Sequence, residues 1–166
     1  MLMLLGVAAS AQSLPEAIAR DVMALSVRGE AVMRFLGFKV YDVRLWTQQK
    51  AFSHAEPFAI ELVYDMNLNG RDIAERSVKE MRAQGCSDEK KLQRWGEEMI
   101  KIFPDIKPGD TLIGVSIPGK EARFYNREKH LRTVADPEFA QAFFDIWVSD
   151  KTSEPGLRLK LLAIAK

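Results

Sequence analysis

Apolar and polar positions alternate with period two in the first half of the chain, and this pattern predicts β-strands. In the segment 58–64, one face carries large apolar or aromatic residues, while the other carries small, acidic and β-branched residues. Such alternation is typical of a half-buried strand. The segments 21–28 and 32–46 are rich in β-branched and aromatic residues. We predict strands there too, with a turn at Gly29-Glu30 and a bulge or bend at Gly37.

Helical periods dominate the middle and the end of the chain. A helix is predicted over 71–84 and stopped by Gly85, and a second one is predicted to begin at a Ser87 cap and to end at Pro104. Two strands, 110–117 and 122–126, follow. A helix beginning after Asp136-Pro137 and a short one over about 156–165 complete the chain. The predicted buried stripes of these helices contain Leu92, Trp95, Met99, Ile102, Phe139, Phe143, Ile146 and Trp147.

The order of these elements indicates the fold class. Strands, then helices, then strands, then helices predict an α+β protein in which helices cover one face of an antiparallel sheet. The chain has no linker, repeat or low-complexity tract, and 166 residues suit one domain, which we place at 12–166.

The first eleven residues, Met1 to Ala11, form a separate segment. They are apolar or small and uncharged, and they end in Ala9-Ser10-Ala11. This pattern indicates a signal peptide cleaved before Gln12, although the usual positive n-region is missing. We therefore expect an exported, periplasmic protein. A buried N-terminal strand or helix is the alternative.

Charge and composition exclude several classes of function. A formal net charge of +1 argues against a dedicated nucleic-acid binder, which needs a concentrated basic surface. One cysteine, Cys86, excludes an internal disulfide framework, and two widely separated histidines argue against a histidine metal site. The chain contains no nucleotide-binding, hydrolase or metalloprotease motif, so we expect no cofactor and no metal. The residues alone therefore predict an exported α+β domain and no specific function.

A further set of segments, taken in order and spacing, carries a family resemblance. The segments are 37–46 (GFKVYDVRLW), 62–64 (LVY) ahead of a helix, 109–110 (GD) opening a strand, 139–147 (FAQAFFDIW) and 154–158 (EPGLR). Together they resemble the bacterial branch of the chalcone isomerase-like family over roughly Leu25 to Ala163. The resemblance implies an open-faced β-sandwich with a ligand cleft between the sheet and its helices, and this agrees with the α+β prediction.

The resemblance also implies where an isomerase would keep its catalytic residues. In the plant enzymes an arginine on an early strand polarises the substrate carbonyl, and Arg28 falls at that position. Tyr41 stands where those enzymes have a threonine. Ile73 stands at the place of their catalytic tyrosine, Arg76 at that of a lysine and Glu80 at that of an asparagine. Isoleucine can neither order a water nor donate a hydrogen bond, so the catalytic set is incomplete.

The fatty-acid-binding relatives in the same family pair an arginine with a tyrosine on the next long strand. Arg28 and Tyr41 have this kind of spacing, and Arg76 is the third ligand contact that the resemblance implies. A guanidinium binds a carboxylate bidentately, a phenol adds a hydrogen bond, and an apolar cleft accepts the tail. The structural alternative is that Arg28 is a surface charge at a strand end and Tyr41 a half-buried residue of the sheet.

Three classes of function remain open at this point. The first is a non-catalytic binder of a small amphipathic or fatty-acid-like ligand, which the incomplete catalytic set favours. The second is an intramolecular lyase or isomerase acting on a chalcone-like or other conjugated carbonyl. The third is a structural or interaction protein with a closed cleft. The sequence leaves the oligomeric state open.

Overall fold

The sheet consists of six antiparallel strands that follow one another in chain order. In a computed structural model, which describes residues 13–164, the order is β1-β2-β3-β4-β5-β6. The segment predicted to be a signal peptide, 1–11, lies outside the described residues. The strands are β1 (Ser26–Phe35), β2 (Phe38–Thr47), β3 (Phe58–Tyr64), β4 (Thr111–Ile117), β5 (Glu121–Tyr125) and β6 (His130–Val134).

Four helices cover one face of this sheet and a fifth, short one lies against the other face. The helices are α1 (Glu16–Asp21), α2 (Gly70–Ala83), α3 (Glu89–Ile102), α4 (Pro137–Val148) and α5 (Pro155–Leu161). Helices α2 to α5 share the main core with the sheet, which confirms the α+β architecture. Helix α1 was not expected: Ile18 packs with Val22, Trp46 and Tyr125 in a second, smaller core.

The strand predicted over 32–46 is instead a hairpin. Leu36 and Gly37 have φ of 48° and 83°, and they form the two-residue connection between β1 and β2. Two consecutive residues with positive φ are typical of the type I′ hairpin turn, whose twist matches that of the strands. The predicted bend at Gly37 is therefore a full reversal of the chain.

The predicted turn at Gly29-Glu30 is also wrong, because both residues lie inside β1. The register of β1 against β2 shifts between Val27 and Gly29, so a bulge stands where the turn was expected. A Cβ atom on Gly29 would lie 2.3 Å from the carbonyl oxygen of Lys160. Glycine is needed here for the close approach of the α5 end and not for a turn.

The two central helices agree closely with their sequence patterns. Helix α2 begins after Asn69, whose side chain accepts a hydrogen bond from the backbone N–H of Asp72. Helix α3 is capped by Asp88 and not by Ser87, since the Asp88 carboxylate accepts from the backbone N–H of Lys91 at 3.0 Å. The predicted stripe of α3 is fully buried: Leu92, Trp95, Met99 and Ile102.

Aromatic rings fill one end of the space between sheet and helices. Phe124 of β5 contacts Phe103 and Phe143 edge-on, with ring centroids 5.6 and 5.1 Å apart. Phe143 in turn lies 5.3 Å from the ring of Trp147. These edge-to-face contacts hold the aromatic rings together, and the same rings form one side of the candidate site.

The opposite face of the sheet buries one carboxylate. Glu61 of β3 is fully buried and accepts a hydrogen bond from the indole N–H of Trp46 at 3.1 Å. The guanidinium groups of Arg44, at 3.4 Å, and Arg127 also contact it. A buried charge is tolerated only when it is paired, and these contacts satisfy the Glu61 carboxylate on the outer face of the sheet.

Candidate functional site

A cavity of about 410 Å³ lies between the helical face of the sheet and helices α2, α4 and α5. This volume falls within the range usual for sites of small molecules, about 300–1,000 Å³. Most of the wall is apolar, and it includes Ile60, Leu62, Ile73, Leu112, Phe143 and Leu157. Gly114 also lines the cavity, and the ring of Phe144 packs directly against it. A larger residue would disturb this packing, because a Cβ atom on Gly114 would lie 3.0 Å from that ring.

Tyr41 places one phenol in this wall. Its oxygen accepts a hydrogen bond from the indole N–H of Trp147 at 3.2 Å. Burial raises the pKa of Tyr41 to about 12, although the bond from Trp147 acts in the opposite direction. The phenol therefore keeps its proton at neutral pH. Within residues 13–164 that proton has no acceptor, so it is available to a ligand.

Tyr64, at the end of β3, places a second phenol beside the first. The two rings meet edge-on with centroids 5.6 Å apart, and the strands pair these residues directly. Burial, together with the neighbouring Tyr41, raises the pKa of Tyr64 far above its usual value. The hydroxyl of Tyr64 forms no hydrogen bond to any part of the chain that the structure describes. It is a second protonated donor in the cavity wall.

Arg76 of α2 supplies a cation to the same wall. Its Nε and Nη2 atoms bind one oxygen of Glu80, at 2.9 and 2.7 Å. The other oxygen of Glu80 accepts from the hydroxyl of Ser153 at 2.7 Å. Glu80 is thus a buried carboxylate satisfied on both oxygens. The Nη1 atom of Arg76 has no partner within the described residues, so one edge of the guanidinium is free.

Two further carboxylates line the cavity. Asp72 is bound to the side-chain amide of Asn69 at 2.8 Å, which holds it at the start of α2. Glu154 lies just before α5, and its charge contributes to the raised pKa of Tyr41. Among the lining residues, Glu154 is therefore the acidic group that most directly influences the phenol.

The structure brings together two of the three predicted ligand contacts. Tyr41 and Arg76 both line the cavity, and Arg28 does not. The Nε atom of Arg28 instead donates to the carbonyl of Leu162 at 3.2 Å, just beyond the end of α5. The β1 residue paired with Tyr41 is Met33, which is apolar and lines the cavity. The cation therefore comes from α2 and not from β1.

Sequence reasoning missed several polar residues of the site. Tyr64 ends the 62–64 segment that carries part of the family resemblance. It lies on the apolar face of a strand with clear alternation, and this position could have indicated that its side chain faces the helices. Trp147 was expected only as a core residue, and its indole N–H also positions the Tyr41 phenol. Ser153 carried no sequence signal, because it lies in a loop that folds back onto Glu80.

No group of three or more His, Cys, Asp or Glu side chains within residues 13–164 is arranged to hold a metal ion. In the same part of the chain, no helix is long and apolar enough to span a bilayer.

The fold is an open-faced sandwich with a cavity between the sheet and its helices, and comparison with known proteins gives the family. The chain belongs to the chalcone isomerase-like family, whose sequence profile matches residues 7–163. An uncharacterised protein of Haemophilus influenzae is 27% identical over 139 residues, which are 83% of this chain and 68% of that protein. This confirms the family resemblance.

A solved structure shows the same fold. The crystal structure of a fatty-acid binding protein of Arabidopsis thaliana superposes with a TM-score of 0.65. The two share 13% sequence identity, over 84% of this chain and 87% of that one. At this identity the likeness establishes the architecture, and the ligand must be argued from the cavity itself.

Proposed function

We propose that this protein is a non-catalytic binder of a small amphipathic acid of the fatty-acid kind, whose tail occupies the cavity. The observation that carries the proposal is the set of free donors in a wall that is mostly apolar. The hydroxyls of Tyr41 and Tyr64 and the Nη1 atom of Arg76 have no acceptor within residues 13–164. A carboxylate is a headgroup that accepts hydrogen bonds from phenol and guanidinium donors of this kind.

The protonation of the two phenols supports this choice. The pKa of each is raised by burial, so both remain donors across the physiological range. An anionic head accepts from such donors, whereas an ammonium head cannot accept a hydrogen bond from either phenol.

The same cavity is poorly equipped for isomerase chemistry. Ile73 occupies the position that the family resemblance assigns to a catalytic tyrosine, and it forms part of the apolar wall. Glu80 is bound by Arg76 and Ser153 on its two oxygens, so it is poorly placed to remove a proton. The fold neighbour named as a fatty-acid binding protein supports a binder at the level of architecture.

A set of ligands with one chain length tests the headgroup. The full chain is titrated with dodecanoic acid, its methyl ester and dodecylamine, with tryptophan fluorescence as the readout because Trp147 lines the cavity. We expect the acid to bind at least about tenfold more tightly than the ester, from loss of a charge-assisted bond, and the amine to bind most weakly. Equal binding of acid and ester contradicts an acidic-head site.

Substitutions in α2 test whether Arg76 binds the acidic headgroup. Arg76→Gln is expected to weaken binding of the acid by about one to two decades and to leave the ester unchanged. The double variant Arg76→Gln/Glu80→Gln gives the same loss without leaving Glu80 unpaired, which separates the headgroup contact from a folding defect. Arg71→Gln removes the same charge from an exposed position of the same helix and serves as the matched control. An unchanged affinity for the acid in both Arg76 variants removes Arg76 from the site.

We also propose that the protein acts after export to the periplasm. The support is the uncharged apolar segment 1–11 with its A-x-A ending. N-terminal sequencing of the protein from its own host is expected to begin at Gln12, and a sequence that retains Met1 contradicts export by this route.

A further inference from the structure

The first strand of the sheet, β1, has an open edge. It is an outermost strand, because the sheet begins with it. Within residues 13–164, the side of β1 that faces away from β2 forms no backbone hydrogen bond to another segment. Nine of its ten residues are exposed or half-buried, whereas β6, at the other edge of the sheet, has only five residues. A long open edge is a template for pairing with a further strand.

The regular part of β1 is the segment 29–35, called the edge segment below. It begins after Arg28, where β1 has one residue more than β2 and bulges, and it ends at the hairpin turn. The register shift after Met33 places the extra residue in β2, so β1 itself stays regular there. The edge segment is therefore an uninterrupted stretch of strand, and Val32 is its central residue.

The hairpin geometry determines which backbone groups of β1 point outward. Phe35 and Phe38 flank the two-residue turn and pair with each other, and such a pair exchanges backbone hydrogen bonds. The direction of the backbone groups alternates along an antiparallel strand. The N–H and C=O groups of Glu30, Val32 and Arg34 therefore point away from β2, and they are the donors and acceptors of the open edge.

The side chains of the same three residues are arranged symmetrically. Val32 is 42% exposed, and Glu30 and Arg34 lie two residues before and after it. All three share the outer face of the sheet, because strand side chains alternate and Ala31 between them lies in the main core. Glu30 is 70% exposed and binds Arg44 through one oxygen only, at 3.2 Å. Arg34 is exposed and forms no ion pair within residues 13–164.

A second copy of β1 is the partner that this edge fits. When two edge segments pair antiparallel about a two-fold axis at Val32, residues equally far from Val32 on the two strands lie opposite each other. Glu30 of one copy then faces Arg34 of the other at two symmetric places, and about six backbone hydrogen bonds form. We propose that the protein forms a weak symmetric dimer through antiparallel pairing of β1, which joins two six-stranded sheets into one.

The charges favour this register over its neighbours. Moving the axis by one residue toward the start of β1, to Ala31, sets Arg34 opposite Arg28 of the other copy, and like charges directly opposite each other are destabilising. Moving it the other way shortens the overlap and leaves Glu30 without a charged partner. The axis at Val32 gives the full overlap of the two edge segments and covers the exposed side chain of Val32 with its own copy.

Sedimentation velocity of the ligand-free full chain tests the dimer. The edge segment is much shorter than the roughly 20–30 residues that a standard interface takes from each partner, so we expect a Kd of about 10–500 μM. Val32→Lys sets two like charges against each other on the axis and should weaken association at least about tenfold. Its melting temperature at low concentration should equal that of the wild type, because residue 32 is exposed.

Charge reversal tests the register. Glu30→Arg and Arg34→Glu each set like charges opposite each other in a dimer of identical copies, so each should weaken association about tenfold. In an equal mixture, the two variants have opposite charges at both places and should associate as tightly as the wild type. Mixing cannot repair a folding defect. Arg71→Glu makes the same change of charge at an exposed position of α2 and should associate like the wild type.

Four outcomes would overturn the proposal. The first is a wild type that stays monomeric up to about 1 mM, well above the expected Kd. The second is association that persists in Val32→Lys, which would place the contact elsewhere, residues 1–11 included. The third is a mixture of the two charge variants that stays dissociated, and the fourth is an equal loss in Arg71→Glu. No ligand enters these measurements, so their failure leaves the proposed function untouched.

Discussion

At the scale of single residues, Glu154 opposes the headgroup that we propose. Its carboxylate lines the cavity and its charge raises the pKa of Tyr41, so it lies within electrostatic reach of an acid bound there. We expect Glu154→Gln to tighten binding of dodecanoic acid about threefold to tenfold, since a like charge is removed from a partly desolvated site. Binding of the methyl ester should not change. A weaker affinity for the acid would show that Glu154 accepts a hydrogen bond from the ligand.

Tyr41 gives a pH-dependent stability with a definite sign. Burial raises its pKa from 10.0 to about 12 in the folded protein. The folded state therefore holds the proton more tightly than the unfolded state. The stabilisation is complete below pH 10 and is lost as the pH rises from about 10 to 12.

The measurement is urea unfolding at several pH values for wild type and Tyr41→Phe. The unfolding free energy of the wild type minus that of Tyr41→Phe should be constant from pH 7 to about 9.5 and then fall as the pH rises toward 12, since phenylalanine has no proton to lose. Subtracting the variant removes the contributions of Tyr64 and Tyr125, whose pKa values are also raised by burial. A difference that stays constant to pH 12 contradicts the burial argument.

Arg28 is expected to contribute to stability more than to affinity. Its side chain donates to the carbonyl of Leu162 and does not line the cavity. Arg28→Ala should cost about 1–2 kcal/mol of unfolding free energy, the usual worth of a charged donor on a backbone carbonyl that is partly shielded from water. The affinity for dodecanoic acid should stay within twofold, roughly the scatter between neutral variants. A loss of affinity at unchanged stability would restore Arg28 as a ligand contact, as the sequence predicted.

At the scale of elements, the end of α5 packs directly against the backbone of Gly29 in β1. A Cβ atom on Gly29 would lie 2.3 and 2.4 Å from the carbonyl oxygens of Lys160 and Leu161, and backbone atoms cannot rotate away. Gly29→Ala should therefore displace α5 and cost about 1–3 kcal/mol, as overpacking usually does. Because Leu157 of α5 lines the cavity, the affinity for the acid should fall as well.

Gly156→Ala is the matched control for this element. It lies in the same helix, and a Cβ atom there meets nothing within 4 Å. Alanine should be neutral or stabilise α5 by up to about 1 kcal/mol. Equal unfolding free energies for Gly29→Ala and the wild type would show that the α5 end adapts without strain.

Elements with a long, strict period were the ones that the sequence predicted well. Helix α3 repeats its apolar residues at helical spacing over three turns, and β3 alternates over seven residues, so both elements were located from the sequence. Strand β3 is nevertheless buried on both faces and not on one, because α1 and the Glu61 ion pairs cover its outer face. Strand β6 has five residues, of which most are exposed, and helix α1 has six, so neither carries enough periodic signal. The β1–β2 reversal was missed because Leu36 is an unusual residue for such a turn.

At the scale of the whole molecule, sheet register decides which predicted residues meet. Tyr41 and Arg76 were predicted as ligand contacts from the resemblance to the chalcone isomerase-like family, and both line the cavity. The partner of Tyr41 across β1 is Met33, five residues beyond Arg28, because the hairpin closes at Leu36 and Gly37. Tyr64 joins the site through the pairing of β2 with β3. Such distant pairings depend on turn geometry, which a single sequence specifies weakly.

Ligand binding should stabilise the whole chain if the cavity is a true binding site. A ligand that binds only the folded state at about one hundred times its Kd adds about 2.7 kcal/mol, which corresponds to a rise of about 5–10 °C in melting temperature for a domain of this size. Dodecanoic acid should produce this rise, and dodecylamine at equal concentration controls for detergent action. In Arg76→Gln the rise should shrink by several degrees at the same acid concentration, since the Kd is larger. An acid that leaves the melting temperature of the wild type unchanged, at concentrations that saturate the fluorescence signal, would mean that it binds the unfolded chain equally well and that the cavity is not its site.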